Sequence, residues 1–87
     1  MEKIRITNAI RKLRFERDEM TQQALADAVG VTRQTIAAIE KAKYAPSLEL
    51  AIRIARALGK PLGDVFMVEG EDQSIDLPSQ PGEDPNR

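Results

Sequence analysis

The sequence predicts an all-α fold, a compact bundle of five short helices, and three observations lead to this prediction. Thr21, Thr32 and Ser47 each precede an apolar-periodic segment, and these residue types cap helix N-termini. Gly30 and Gly59 each follow such a segment, at the place where a helix end takes the left-handed conformation. The 87 residues contain no long alternating apolar run of the kind that indicates a sheet.

The first helix is predicted over residues 8–17, with Thr7 or Asn8 as its N-terminal cap. Ile10 and Leu13 lie three residues apart among charged residues. This is the spacing of a short amphipathic helix.

The two ends of the helical body leave one alternative open. Ile4 and Ile6 alternate with polar residues, and residues 66–68 read Phe-Met-Val, which is a β-prone run. A small pair of terminal strands is therefore the alternative to an entirely helical body.

The second and third helices are predicted over residues 22–29 and 33–41. Thr21 caps the second helix and Thr32 caps the third, and Gly30 ends the second. In both helices an apolar residue precedes the cap and another follows four residues inside, which is the arrangement of a hydrophobic staple.

The fourth helix is predicted to begin after Ser47 and to end at Gly59. Its apolar positions follow helical spacing and are Leu48, Ala51, Ile52, Ala55 and Leu58. Pro61 is predicted to be the first residue of a short fifth helix, because proline suits that position. Leu62, Val65 and Phe66 are predicted to close the core.

The charges divide the chain into two parts, predicted as a domain over residues 1–68 and an acidic tail over residues 69–87. Residues 1–67 contain 12 Lys and Arg and 8 Asp and Glu, a balance of +4, whereas residues 68–87 balance to −5. The tail is rich in proline, glycine, serine and acid, and its few apolar residues bury too little area to offset the entropy of ordering. We therefore predict that the tail is disordered.

Composition argues against an enzyme, a metal site and a cofactor. The chain has no Cys and no His, so the commonest metal ligands and general base are missing. No convergent set of nucleophile, base and oxyanion donors is visible. No apolar run approaches the length of a signal sequence or a membrane span, so we expect a soluble, cytoplasmic protein without a membrane partner.

The second and third helices carry the pattern of two helices joined by a tight turn. Such a helix-turn-helix needs a small residue where the backbones meet and a glycine where the turn bends, and Ala26 and Gly30 supply them. Leu25 on one helix and Ile36 and Ile39 on the other supply apolar contacts that lock the pair. Each feature is common in small helical domains, but their combination at these spacings indicates a helix-turn-helix.

The third helix leaves one face free, because Ile36 and Ile39 share the opposite face. At about 100° per residue, the free face carries Gln34, Ala37, Ala38 and Lys41, with Arg33 and Thr35 on its flanks. Arginine can pair with guanine, glutamine with adenine, and a methyl group with the methyl of thymine. The face therefore suits a DNA major groove, although an exposed arginine and glutamine are more often simply solvated.

The segment QQALADAVGVTRQTIAAIEKAKYAPSLELAIRIARALG resembles the Cro/C1 (XRE-type) helix-turn-helix family of transcriptional regulators. Residues 8–67 are similar to short single-domain members of that family. The resemblance implies a lambda-repressor-like DNA-binding domain of five helices. It also implies a double-stranded DNA partner, a homodimer and a palindromic operator, with repression as the expected activity.

The resemblance also implies roles for individual residues. The base-reading positions fall on Arg33, Gln34, Thr35 and Ala38. The positions that contact the DNA backbone fall on Gln22, Lys43, Tyr44 and Ser47, and local charge and hydrogen-bonding capacity add Thr32 and Lys41. An arginine of the first helix that pairs with the glutamate closing the third corresponds to Arg14 and Glu40.

Two departures from the family pattern bear on the fold. The family usually has glycine after the third helix, where this chain has Ala42, so a left-handed conformation there would cost about 1 kcal/mol. The segment Phe15–Met20 is one residue longer than the commonest pattern, which puts the register of Arg14 in question.

The acidic tail has two interpretations. It is a solubilising terminus, or it competes with DNA for the basic face, because it repels phosphate over about 8 to 10 Å at ordinary salt. A related alternative for the whole protein is an antitoxin-like role, in which the tail grips a toxin partner. The segment IDLPSQPGEDP is short and poor in large apolar anchors for such a partner.

Overall fold

A computed structural model describes residues 4–69 of the chain. The elements in chain order are β1 (Arg5–Asn8), α1 (Ile10–Glu16), α2 (Gln22–Val29), α3 (Arg33–Glu40), α4 (Leu48–Leu58), α5 (Leu62–Val65) and β2 (Phe66–Glu69). The predicted acidic tail lies outside the described residues from Gly70 onward.

The five predicted helices are present, but residues 4–69 also include a two-stranded antiparallel sheet, so the fold is mostly helical and not strictly all-α as predicted. β1 pairs with β2 in a register that places Ile6 opposite Val68 and Asn8 opposite Phe66. The sheet joins the helices directly, because the Ala9 amide donates to the carbonyl of Val65 at 2.9 Å. The alternation at Ile4 and Ile6 was therefore the informative signal at the N-terminal end.

α1 is shorter than predicted, and its first amide is bonded by a side chain that lies outside the helix. Ala9 is the N-cap and supplies no side-chain cap, while Asn8 belongs to β1. The Asn8 side chain nevertheless bridges two elements, because its Oδ1 accepts from the Ile10 amide at 3.1 Å and its Nδ2 donates to the Ile39 carbonyl at 2.9 Å. This asparagine therefore fastens the sheet and α1 to the end of α3.

The core lies between the helices, and every helix contributes to it. Its buried residues are Ile10, Leu13, Leu25, Ala26, Val29, Ile36, Ile39, Ile54, Ala55, Leu58 and Val65. At about 1.5 to 3 kcal/mol for each fully buried large aliphatic side chain, this cluster is the main favourable term that fixes the positions of α2 and α3.

The buried face of α4 differs from the prediction at two positions. Leu48 is 68% exposed and Ile52 is 38% exposed, whereas Ile54 is fully buried. The segment LELAIRIARAL contains two overlapping apolar stripes, and only packing against α2 decides between them. The face that packs inward carries Ala51, Ile54, Ala55 and Leu58.

α5 is a single turn that leads into β2. Pro61 is its N-cap in extended conformation rather than its first helical residue. Val65 is fully buried and Phe66 half-buried, but Leu62 is 37% exposed and does not close the core. Within residues 4–69, none of the helices is long and apolar enough to cross a membrane.

Candidate nucleic-acid interface

The turn between α2 and α3 is built by local hydrogen bonds. Gly30 takes the left-handed conformation with φ of 81°, and its amide donates to the Ala26 carbonyl at 2.8 Å. The Val31 amide donates to the same carbonyl at 3.0 Å. These two bonds end α2 and turn the chain at once into the cap of α3.

Both helices of the pair begin at threonine caps, as predicted. The Thr21 hydroxyl accepts from the Ala24 amide at 2.9 Å, and the Thr32 hydroxyl accepts from the Thr35 amide at 3.2 Å. Each cap satisfies an amide that the first helical turn leaves without a backbone partner. The start of α3 is therefore held in a defined position.

The facing sides of α2 and α3 are buried. Leu25, Ala26 and Ile36 are inaccessible to solvent, and Ile39 is nearly so. The small side chain of Ala26 lets the two backbones approach. The opposite side of α3 is thereby turned outward as a fixed surface.

The outward side of α3 carries the side chains that the sequence indicated for base recognition. Arg33, Gln34 and Lys41 are exposed, whereas Thr35 and Ala38 are half-buried. The Thr35 hydroxyl lies 3.1 Å from that of Thr32, and either oxygen can be the donor. Arg33 and Gln34 thus lie in the first turn of α3, and Ala38 further along the same side is short. From this position the two long side chains can reach base edges.

The residues assigned to the DNA backbone flank this surface. Lys43 and Tyr44 are exposed in the loop after α3. Ser47 caps α4, and its hydroxyl accepts from the Leu50 amide at 3.1 Å. Gln22 is half-buried at the start of α2, and its Oε1 lies 3.5 Å from Nη1 of Arg33.

The positive charges on this side are not neutralised by neighbours. In the described part of the chain the ion pairs use Arg14 and Arg53, so Arg33, Lys41 and Lys43 are in none. Each can therefore neutralise a phosphate and release its counterion, which is the main source of affinity for duplex DNA.

The pairing of Arg14 with Glu40 is confirmed. Arg14 Nε donates to Glu40 Oε2 at 2.7 Å, and Arg14 Nη2 donates to Oε1 at 3.2 Å. Arg14 Nη1 also donates to the Met20 carbonyl at 2.7 Å. The bidentate contact joins α1 to the C-terminal end of α3.

The longer connection between α1 and α2 does not disturb that register. Asp18 and Glu19 both have positive φ, at 57° and 55°, which makes room for the additional residue in a tight loop. The Met20 amide donates back to the Arg14 carbonyl at 2.9 Å. The extra residue is therefore absorbed before α2 begins.

The end of α3 is strained at Ala42, which has φ of 60°. The Lys43 amide donates to the Ala38 carbonyl and the Ala42 amide to the Ile39 carbonyl, both at 2.9 Å. This pair of bonds is a Schellman motif, whose left-handed position usually holds glycine. The helix thus ends as the family pattern requires, with alanine in glycine's place.

One contact at this surface was not foreseen from the sequence. Gln22 Nε2 donates to Glu40 Oε1 at 3.1 Å, so the glutamine is bound within the protein as well as facing outward. The two residues lie 18 positions apart and share no local pattern. The pairing depends on the angle between α2 and α3, which the sequence does not state.

The described part of the chain shows no other candidate chemistry. Residues 4–69 contain no group of three or more metal-ligating side chains that could hold an ion. The polar side chains that converge beside α3 are Gln22, Arg33 and Glu40 of the helix-turn-helix and Arg14 of α1.

The chain is similar in sequence to known helix-turn-helix proteins. The sequence profile of the family described as helix-turn-helix matches residues 10–65. An HTH-type transcriptional regulator of Methanothermobacter thermautotrophicus is 59% identical over 51 residues, which are 58% of this chain and 74% of that protein. The HTH-type transcriptional regulator YgzD of Bacillus subtilis is 48% identical over 64 residues, covering 74% of this chain and 96% of YgzD.

A named repressor and a solved structure are also similar. The cryptic phage CTXphi transcriptional repressor RstR of Vibrio cholerae is 34% identical over 70 residues, covering 80% of this chain and 60% of RstR. The crystal structure of the transcriptional regulator VanUg superposes with a TM-score of 0.66 at 29% identity. That superposition covers 82% of this chain and 93% of VanUg.

Proposed function

Because the chain belongs to the Cro/C1-type helix-turn-helix family of transcriptional regulators, we propose that it represses transcription by binding a palindromic operator as a homodimer. It is a transcriptional regulator with a helix-turn-helix DNA-binding domain and is not an enzyme. The operator symmetry, the dimer and the repression are the proposal.

One observation carries the proposal for sequence-specific binding. α3 is anchored by the buried Ile36 and Ile39 and presents Arg33 and Gln34 to solvent at its first turn. Because the helix is rigidly held, these two side chains can meet base edges at a fixed depth in the major groove. Lys41 and Lys43 at its other end supply charge that positions the helix without reading sequence.

Repression is proposed from similarity and from simple occupancy. RstR, which is similar over 80% of this chain, is named a transcriptional repressor. A domain of this size that occupies an operator within a promoter blocks access by other proteins.

The homodimer is proposed from an apolar surface beside the sheet. Ile4, Ile6 and Val68 are exposed and share one face of the sheet, since Ile6 and Val68 are directly opposite. A groove of about 650 Å³ continues this face, lined by Leu48 and Leu62 among others. Burying these side chains against a second copy removes them from water. Two copies also supply two recognition helices, one for each half-site of a genomic operator.

The proposed roles in base reading are tested by three alanine variants. Arg33→Ala and Gln34→Ala should each weaken binding to the cognate operator by about 1 to 3 kcal/mol and relax preference at one base pair. Lys43→Ala should weaken binding to cognate and random DNA alike, because a phosphate contact carries no sequence information. Affinities are measured by fluorescence anisotropy at several salt concentrations.

The comparison between DNA sequences decides the outcome. If Arg33→Ala lost the same free energy of binding on cognate and on random DNA, its base-reading role would be refuted. The slope of log affinity against log salt concentration provides the control. Lys43→Ala should reduce the magnitude of that slope by about one, because one phosphate contact is lost.

A further inference from the structure

We propose that Glu40 aims the guanidinium of Arg33 by fixing the side-chain amide of Gln22, and is therefore a positioning residue for base recognition. Glu40 is 9% exposed and lies at the far end of α3 from Arg33. The inference rests on the proposed function, because it takes Arg33 to read a base.

The Glu40 carboxylate is surrounded by hydrogen-bond donors. It receives three side-chain hydrogen bonds, from Nε and Nη2 of Arg14 and from Nε2 of Gln22. An ionised carboxylate can only accept hydrogen bonds. Any group that bonds to it must therefore present a donor.

The side-chain amide of Gln22 lies between Glu40 and Arg33 in one orientation. Its NH2 group faces Glu40 at 3.1 Å, so its carbonyl oxygen faces the other way. That oxygen is the atom 3.5 Å from Nη1 of Arg33. The orientation of the amide follows from the carboxylate, because the opposite orientation would set an oxygen against an oxygen.

The oriented Gln22 amide restricts the side chain of Arg33. Arginine is a long side chain that loses about 2 kcal/mol of rotamer freedom when it is fixed. A fixed acceptor beside Nη1 favours one direction of the fork before DNA arrives, and it leaves the Nε and Nη2 donors free. Pre-organisation of this kind lowers the entropy lost on correct pairing, and a guanidinium held in one direction cannot turn to bond a different base, so discrimination between bases increases.

The network also links three helices. Arg14 and Glu40 join α1 to the end of α3, and Gln22 and Arg33 join the start of α2 to the start of α3. The Glu40 carboxylate thus bonds Arg14, which joins two helices, and Gln22, which faces Arg33. Substitutions of Arg14 and of Gln22 remove these bonds one at a time.

The test is Glu40→Gln, which keeps the side-chain volume but removes the negative charge and replaces one acceptor oxygen with a donor NH2 group. A glutamine that gives its oxygen to Arg14 turns its own NH2 toward Gln22. Gln22 then turns its carbonyl inward and presents a donor to Arg33, which is itself a donor. The ratio of affinities for the cognate base and its substitutes at the Arg33 position should fall by about three- to tenfold.

Three controls separate positioning from structure. Arg14→Gln weakens the bond between α1 and α3 but leaves the carboxylate facing Gln22, so it should lower the melting temperature without changing base discrimination. Gln22→Met should lose discrimination as Glu40→Gln does, and it tests the same claim if Glu40→Gln does not fold. In an Arg33→Ala background, Gln22→Met should cause no further loss of discrimination.

The outcomes distinguish this inference from the proposed function. Unchanged discrimination in a folded Glu40→Gln or Gln22→Met variant, or an equal loss in Arg14→Gln, would overturn the positioning role while DNA binding stands. If the wild-type protein prefers no sequence, the proposed function fails. The side-chain order of Arg33 Nε–H in the free protein then decides the inference: it should be lower in Gln22→Met than in wild type, and equal values would contradict it.

Discussion

Ala42 holds a conformation that costs an alanine free energy. Its φ of 60° places it in the left-handed region, where a side chain costs about 1 to 2 kcal/mol, and the side chain itself is exposed. We expect Ala42→Gly to raise the free energy of unfolding by about 0.5 to 1 kcal/mol, because relief of strain exceeds the added freedom of glycine in the unfolded chain. Urea denaturation measures the change.

A second alanine provides the matched control for that prediction. Ala28 is also exposed but lies within α2, where glycine should lower the free energy of unfolding by about 1 kcal/mol. If both glycine variants were destabilised alike, Ala42 would carry no strain.

Single residues were predictable from the sequence where their role is local. Thr21, Thr32 and Ser47 cap the helices that follow them, because a cap bonds an amide three residues away. Asn8 lies one residue before the N-cap and its Oδ1 still accepts from the first amide of α1, but the second bond of its side chain, to Ile39 31 positions away, was not predicted. No pattern in the neighbouring sequence reports such a contact.

The ion pair between α1 and α3 is the principal polar bond between separate helices of the domain. Its side chains are mostly buried, with exposures of 13% for Arg14 and 9% for Glu40. Arg14→Met should therefore lower the free energy of unfolding by about 3 kcal/mol, because it leaves a buried carboxylate without a charge partner.

The exposed pair of Arg53 and Glu49 on α4 is the control for this effect. Arg53→Met should change the free energy of unfolding by less than about 0.5 kcal/mol, since solvent screens the pair. Thermal and urea unfolding compare the two variants. Similar small losses in both would show that burial adds nothing to the inner pair.

Whole elements were predictable where several sequence signals agree. α2 and α3 have two caps, a glycine and a compatible apolar spacing, and all of these agree. α4 had two competing apolar stripes, and the inner one is chosen by its neighbours. The strands were only an alternative, because β1 needs a partner from the other end of the domain and its four residues show little pattern by themselves.

The proposed dimer surface makes a prediction for the whole molecule. Val68 is 67% exposed on the apolar face of the sheet, and Phe15 is equally exposed on α1. Val68→Lys should raise the dimer dissociation constant by at least about tenfold, because a charge would be buried between copies. Sedimentation velocity measures the association.

Phe15→Lys should leave the dimer unchanged, since α1 lies outside the proposed surface. Equal dissociation in the two variants would point to a general effect of charge rather than to this face. A wild-type protein that sediments as a monomer both free and on DNA would contradict the dimer altogether.

The surface of the molecule was harder to predict than its fold. The split of charge into a basic body and an acidic tail was visible in the sequence, and it identified where a polyanion could bind. The network from Arg14 to Arg33 and the apolar face beside the sheet were not visible, because both arise where distant segments meet.

Selection from random duplex DNA, run in parallel on the wild-type and Arg33→Ala proteins, tests sequence-specific binding through α3 most directly. The wild type should enrich a two-fold symmetric sequence with half-sites about one helical turn apart. Arg33→Ala should enrich the same sequence with preference lost at one base pair of each half-site. No enrichment by the wild type, or identical preferences for the two proteins, would contradict recognition of DNA by this helix.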